Sequence, residues 1–154
     1  MSIHTIKYGQ NIKYFITGIL LSCCLSSIAQ DTPLTVIGSQ GVPSDISMKE
    51  LRAVFHGERQ RWGDGTKVVI AMIKSTSPLG NEISRKVYSM NGDEVRGFWA
   101  RISFAGKFDP PNVFNTEAEV ETFISQNPGS IAILNKVNTV PEVKTVLVGG
   151  KKTF

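Results

Sequence analysis

Six consecutive apolar residues, Val68-Val69-Ile70-Ala71-Met72-Ile73, do most to restrict what this chain can become. The run is too short for a typical helix and is rich in β-branched residues. It lies between a polar, glycine-containing loop (residues 59–65) and Ser77-Pro78. Such a run suits a strand buried on both faces, as in a parallel sheet with helices above and below. Ser77-Pro78 supports this, since serine is a preferred N-cap and proline is pre-set for the first helical position. The local unit is therefore strand followed at once by helix.

The same reading extends along the chain. Leu34, Val36 and Ile37, ending at Gly38, form a short strand. Ser47 with Glu50 is a capping box that opens a helix, whose apolar face is Met48, Leu51, Val54 and Phe55 and which Gly57 stops. The helix at Ser77 carries Ile83, Val87 and Met90, and Asn91-Gly92 is expected to end it. Val95, Phe98, Trp99 and Ile102 make the stripe of a third helix over about residues 93–104. Gly106 and Pro110-Pro111 break that pattern. A fourth helix starts at Thr116, capped with Glu119, and Asn127-Pro128-Gly129 terminates it. Ile131 to Leu134 and the segment holding Val143, Val146 and Val148 are the last strands. The order β-α-β-α-α-α-β-β predicts an α/β domain with a mainly parallel sheet flanked by helices on both faces.

The first 29 residues read as a separate, targeting segment. Lys7 and Lys13 give a positive leader, an apolar run follows from Tyr14 to Leu25, and Ser27-Ile28-Ala29 places small residues where a signal peptidase cuts. The run is shorter than the roughly 20 residues that span a bilayer. The expected organisation is a signal peptide over residues 1–29 and one domain over residues 30–154, in an exported protein, periplasmic or secreted. Leu20-Leu21-Ser22-Cys23 also resembles a lipobox, which would place a lipid on Cys23 and give an anchored envelope form. The downstream Ala29-Gln30 site favours ordinary cleavage. Cys23 and Cys24 are the only cysteines, so the domain has none to pair and depends on a packed core.

Several function classes find little support. Lys7 and Lys13 supply two of the four net positive charges, leaving +2 to the rest, and the single basic patch is Arg59-Gln60-Arg61-Trp62. A nucleic-acid partner needs a broader basic face. His56 is the only histidine beyond the leader, which leaves no metal-ligand cluster, and its place at a helix end suits a cation against the helix dipole. No nucleophile–base pair is visible, so the chain is read as a non-enzyme without cofactor. One feature suggests ligand chemistry. Lys74-Ser75-Thr76-Ser77-Pro78-Leu79-Gly80 leaves a buried strand and opens a helix, where first-turn amides, hydroxyls and a lysine could together hold an oxyanion. The bland alternative is that Ser77 only caps the helix.

Four motifs, in order, resemble those of the phosphate-binding (PstS-like) periplasmic proteins. They are Ser47 to Gly57 spanning the first helix, Trp62-Gly63-Asp64-Gly65 after it, Phe98-Trp99 followed by Ile102-Ser103-Phe104-Ala105-Gly106, and Asn127-Pro128-Gly129-Ser130-Ile131-Ala132 entering a strand. The resemblance implies a single lobe of a type-2 periplasmic binding protein-like fold, of the kind that serves ABC transport. It implies phosphate or another small oxyanion as ligand and carries over Ser77 alone as a site residue; the local reading of the loop and helix start adds Lys74, Ser75, Thr76, Leu79 and Gly80, with Ser39 after the first strand facing the same cleft. The family's serine-glycine-threonine motif is replaced here by Ser77-Pro78-Leu79, which removes one amide donor. The alternative is an accessory module that has lost its ligand and docks to an envelope protein or to a second copy of itself.

Overall fold

The computed structural model describes residues 32–106, 108–136 and 140–154; the expected signal peptide, with Cys23 and the expected cleavage site at Ala29-Gln30, lies outside them. Eleven elements follow in order: β1 (Thr35–Gly38), β2 (Asp45–Ile46), α1 (Met48–Phe55), β3 (Val69–Ile73), α2 (Pro78–Ile83), a π-helical turn (Ser84–Tyr88), α3 (Gly92–Phe104), β4 (Asn112–Phe114), α4 (Glu117–Gln126), β5 (Ser130–Leu134) and β6 (Lys144–Val148). The strands form one sheet in the order β2-β6-β1-β5-β3-β4. No helix among the described residues is long and apolar enough to cross a membrane.

The helix starts follow their local chemistry. Ser47 and Glu50 close a capping box on α1, and Thr116 and Glu119 close one on α4. Each box satisfies two amides that the first helical turn leaves without partners. Asn91 and Glu94 make a third on α3. Asn91 thus starts a helix where the sequence predicts that it ends one. The preceding helix is stopped by Ser89, which takes a left-handed conformation at φ 57. Its last turn is π-helical and brings Val87 and Tyr88 into the core.

Alternation along the strands divides the core between the two faces of the sheet. Ile70, Met72, Ile131 and Ile133 pack with Val36, Leu51, Phe55 and Trp99 under α1 and α3. Ala71, Ile73, Ala132 and Leu134 pack with Val120 and Ile124 of α4. Helices thus cover both faces, as the apolar run of β3 requires.

The sheet is mainly parallel, as expected, and two of its details are not written in the local sequence. Three strand pairings are parallel (β2–β6, β3–β4, β3–β5), but β1 runs antiparallel to both β5 and β6, so the sheet is mixed. Strand direction depends on partners far along the chain, which local patterning does not encode. Short β4 also follows Pro110-Pro111, a segment that reads as a break. As an edge strand it tolerates prolines at its start, because an unpaired edge needs no ladder donor there.

Candidate functional site

β3 lies between β5 and β4 and runs parallel to both, so the carboxyl ends of all three strands open at one edge of the sheet. In open α/β sheets, ligands sit beyond the carboxyl ends of the strands. Lys74–Thr76 leaves β3 at that edge and leads into α2.

The loop is held from three sides. The Lys74 amide donates to the Phe114 carbonyl at 2.9 Å, the Ser77 amide to the Lys74 carbonyl at 2.9 Å, and Ser75 Oγ to the Gly92 carbonyl at 2.8 Å. Two helix starts press against it. A Cβ at Gly80 would lie 2.0 Å from the Lys74 carbonyl oxygen, and one at Gly92 would lie 2.0 Å from that of Ser75. Only glycine allows backbones to approach this closely. Asn81 joins the two starts, its Oδ1 accepting the Gly92 amide at 2.9 Å.

This geometry sorts the donors. Ser77 Oγ accepts the Gly80 amide at 3.0 Å, so that amide serves as helix cap. The Ser75 hydroxyl proton goes to Gly92. Lys74 and Thr76 are exposed, and neither has a partner for its side chain among the described residues. The Leu79 amide has no acceptor one turn back, as in any first helical turn.

Three clefts surround the loop, each of a volume that suits a small ligand. The first, about 460 Å3 between the starts of α2 and α4, is lined by Ser77, Leu79 and Thr116 together with Glu82 and Glu117. The second, about 470 Å3 at the start of α3, holds Thr76, Asn91, Asp93 and Glu94. The third, about 460 Å3 between α3 and β4, holds Lys74, Ser75, Thr76 and Arg96 over an apolar floor. Carboxylates in the first two oppose an anion, whereas the third presents two cations and a hydroxyl. Arg96 pairs with Asp93 at 2.9 Å, with both side chains about 71% exposed. Exposed pairs of this kind contribute about 0.2–1 kcal/mol, so an anion competes readily for the guanidinium.

The expected seat is therefore divided. Lys74, Ser75 and Thr76 line one cleft, while Ser77 and Leu79 line another and Gly80 is buried. Ser39 belongs to neither, which corrects the expectation that it faces the same cleft. It donates its amide to Ser130, which pairs with Val69 at the start of β3. Lys74 is five residues further on, roughly 16 Å away at the usual strand rise. The cause is the antiparallel direction of β1, which points its carboxyl end to the opposite edge. There Ser39 is buried, accepting the Ser130 amide at 2.9 Å and donating to the Asn127 carbonyl at 2.8 Å. Arg96 was not legible as a site residue. It is one of several exposed charges on α3, and only the packing of that helix brings it beside Lys74.

Tyr88 props the floor of the third cleft from beneath. Its hydroxyl accepts the Trp99 Nε1 proton at 3.0 Å and donates to Met72 Sδ at 3.5 Å, and both partners line the cleft. Burial pushes the phenol well above the ordinary tyrosine range, so it stays neutral and acts as a fixed strut. His56 packs on the other side of Tyr88, with ring centroids 5.0 Å apart, and its Nδ1 lies 2.8 Å from the Arg52 carbonyl. Among the described residues, no cluster of three His, Cys, Asp or Glu side chains is arranged to hold a metal ion.

No protein-family model matches the sequence, and a search of curated proteins finds no match. Solved structures do match. An ABC-type phosphate transport receptor from Vibrio cholerae aligns with TM-score 0.58 and 12% identity, over 79% of this chain and 48% of that one. PstS from Borrelia burgdorferi aligns with TM-score 0.57 and 17% identity, over 77% and 48%. A Clostridium perfringens substrate-binding protein of the phosphate ABC transporter type, solved with bound phosphate, aligns with TM-score 0.53 and 13% identity, over 77% and 46%. The chain thus has the fold of one lobe of a PstS-like periplasmic binding protein and spans about half the length of these neighbours.

Proposed function

We propose that this chain is an exported, non-catalytic binding module that holds phosphate or another small oxyanion at the carboxyl end of β3. One observation carries the reading. In a fold shared with phosphate-binding proteins, the clefted edge of the sheet carries exposed Lys74 and Thr76 beside Arg96, while the two neighbouring clefts are acidic. Lys74 and Arg96 supply charge and Thr76 donates a hydrogen bond, the combination that suits an acceptor-rich anion. Ser75, Ser77 and Gly80 hold the loop and the helix start in place, and the Leu79 amide opens on the neighbouring cleft. One lobe offers part of a two-lobed ligand shell, so tight binding needs a second surface to close over it. Any role in ABC transport is part of this proposal.

The test is a thermal melt of the purified protein with phosphate, sulfate or chloride at matched ionic strength. Binding to the native state alone raises the melting temperature by mass action. A rise with phosphate beyond that with chloride, lost in Lys74→Ala, supports the reading. Equal melts in all three salts overturn it.

A second reading, an accessory module that docks to an envelope protein or a second copy, draws on a different observation. Phe104 at the end of α3 is 98% exposed, and Val113 on the β4 edge is 59% exposed. Large apolar side chains left in water are candidates for a contact surface. Sedimentation of the wild type and of Phe104→Ser tests it for self-association: a dimer that the substitution disperses favours this reading, and a monomer at all concentrations removes the second copy as partner.

A further inference from the structure

The cleft that holds Lys74 and Arg96 is larger and more apolar than inorganic phosphate requires. Behind the two cations it runs between α3 and the edge strand β4, over Met72, Val95, Trp99, Pro111 and Val113. Its volume is about 460 Å3. A bare tetrahedral anion would occupy only the cationic end and leave the apolar stretch in contact with water. The floor is rigid, because Met72, Val95 and Trp99 are buried in the core and the neutral Tyr88 hydroxyl bonds both Met72 and Trp99.

We infer that the occupant is a soluble amphiphilic anion: an organophosphate whose charged head meets Lys74, Thr76 and Arg96 and whose apolar body, of about six carbons, lies along the groove between α3 and β4. This names the ligand class for the oxyanion site proposed above and rests on that reading. Charge is matched at one end and apolar surface along the rest, the usual division of labour in small-molecule sites.

Titration calorimetry on the full-length protein tests it, with inorganic phosphate, hexyl phosphate and hexanol as probes. Hexyl phosphate is expected to bind roughly tenfold or more tightly than inorganic phosphate, the gain coming from methylene groups removed from water. Ala100→Phe, which fills the groove wall, should remove the gain and leave inorganic phosphate unchanged. Should that variant fail to fold, Val113→Ser at an exposed position should reduce the same gain. Equal affinity for both phosphates overturns this inference and leaves the oxyanion reading standing, whereas binding of neither overturns both. Hexyl phosphate binding without inorganic phosphate supports the amphiphile and refutes inorganic phosphate as the ligand. Hexanol binding as tightly as hexyl phosphate overturns the inference, because the cations then play no part. Flotation with phosphatidic-acid vesicles in the absence of hexyl phosphate binding also overturns it, in favour of a membrane surface.

Discussion

Two hydroxyl-rich corners sit at opposite edges of the same sheet, and similar chemistry serves different ends in each. At the amino end of β5, Ser39 and Ser130 are buried, bonded to each other's atoms and to Asn127. Gly129 beside them takes φ 78, and a Cβ there would lie 2.2 Å from the Lys67 carbonyl oxygen. Its own carbonyl accepts the Trp62 indole proton at 2.8 Å. Every group at this corner is used inward. At the carboxyl end of β3, Ser75 and Ser77 are also used inward, but Lys74 and Thr76 face water beside a cleft. The difference teaches that burial, not residue type, decides whether a serine or threonine is structural or available. A fully satisfied corner locks the sheet, and a partly satisfied one leaves donors for a ligand.

Substitutions can break or sharpen this contrast. The largest effect is expected from Gly80→Ala, because the added carbon meets a backbone carbonyl that cannot move without displacing the loop. A loss of about 3 kcal/mol in urea unfolding is expected, together with loss of any phosphate response. Ser130→Val strikes the inward corner: it removes the hydroxyl that bonds the Asn127 carbonyl and Ser39 Oγ and puts a larger side chain at a fully buried position. It should cost about 2 kcal/mol while leaving the phosphate-induced rise in melting temperature intact. Ser77→Ala and Thr76→Val divide the outward corner. The first removes a helix cap and should cost about 1 kcal/mol with little change in phosphate response. The second should change stability by less than about 0.5 kcal/mol yet reduce the phosphate response. Stability and binding moving together in both variants would show that the corner cannot be divided in this way.

The smallest effect concerns charge at a helix start. The Thr116 and Asn115 amides donate to Glu119, holding its carboxyl below the ordinary glutamate range. A folded-state value below the unfolded one contributes stability that is complete above the unfolded value and is lost as pH falls through the folded value. Glu119→Gln should therefore lower the urea midpoint slightly near neutral pH and leave it unchanged in acid, where the wild-type carboxyl is protonated. An equal loss at both pH values would assign the effect to geometry instead of charge.

Legibility tracked the range of the interactions involved. Ser47, Ser77 and Thr116 were readable as caps because a cap and its partner lie three residues apart. The strand at β3 was readable because a run buried on both faces leaves no polar position. The position of Ser39 was not readable, because it depends on the direction of β1 against β5, a pairing of residues almost a hundred apart along the chain. The same holds for β4, which pairs with β3 at the edge of the sheet. It holds also for Arg96, which shares a cleft with Lys74 because Gly92 lets α3 pack against the loop.

By itself, then, the sequence determined the α/β class, the helix starts, the apolar strands and the placing of Lys74–Gly80 between a strand and a helix. Each of these follows from side-chain periodicity and short-range hydrogen bonding. The tertiary structure alone decided that this segment is divided between an acidic and a cationic cleft, that Ser39 lies at the far edge and that an apolar groove continues from Lys74. These depend on strand direction and on close backbone contacts between distant segments, and such pairings are selected by the energy of the whole core.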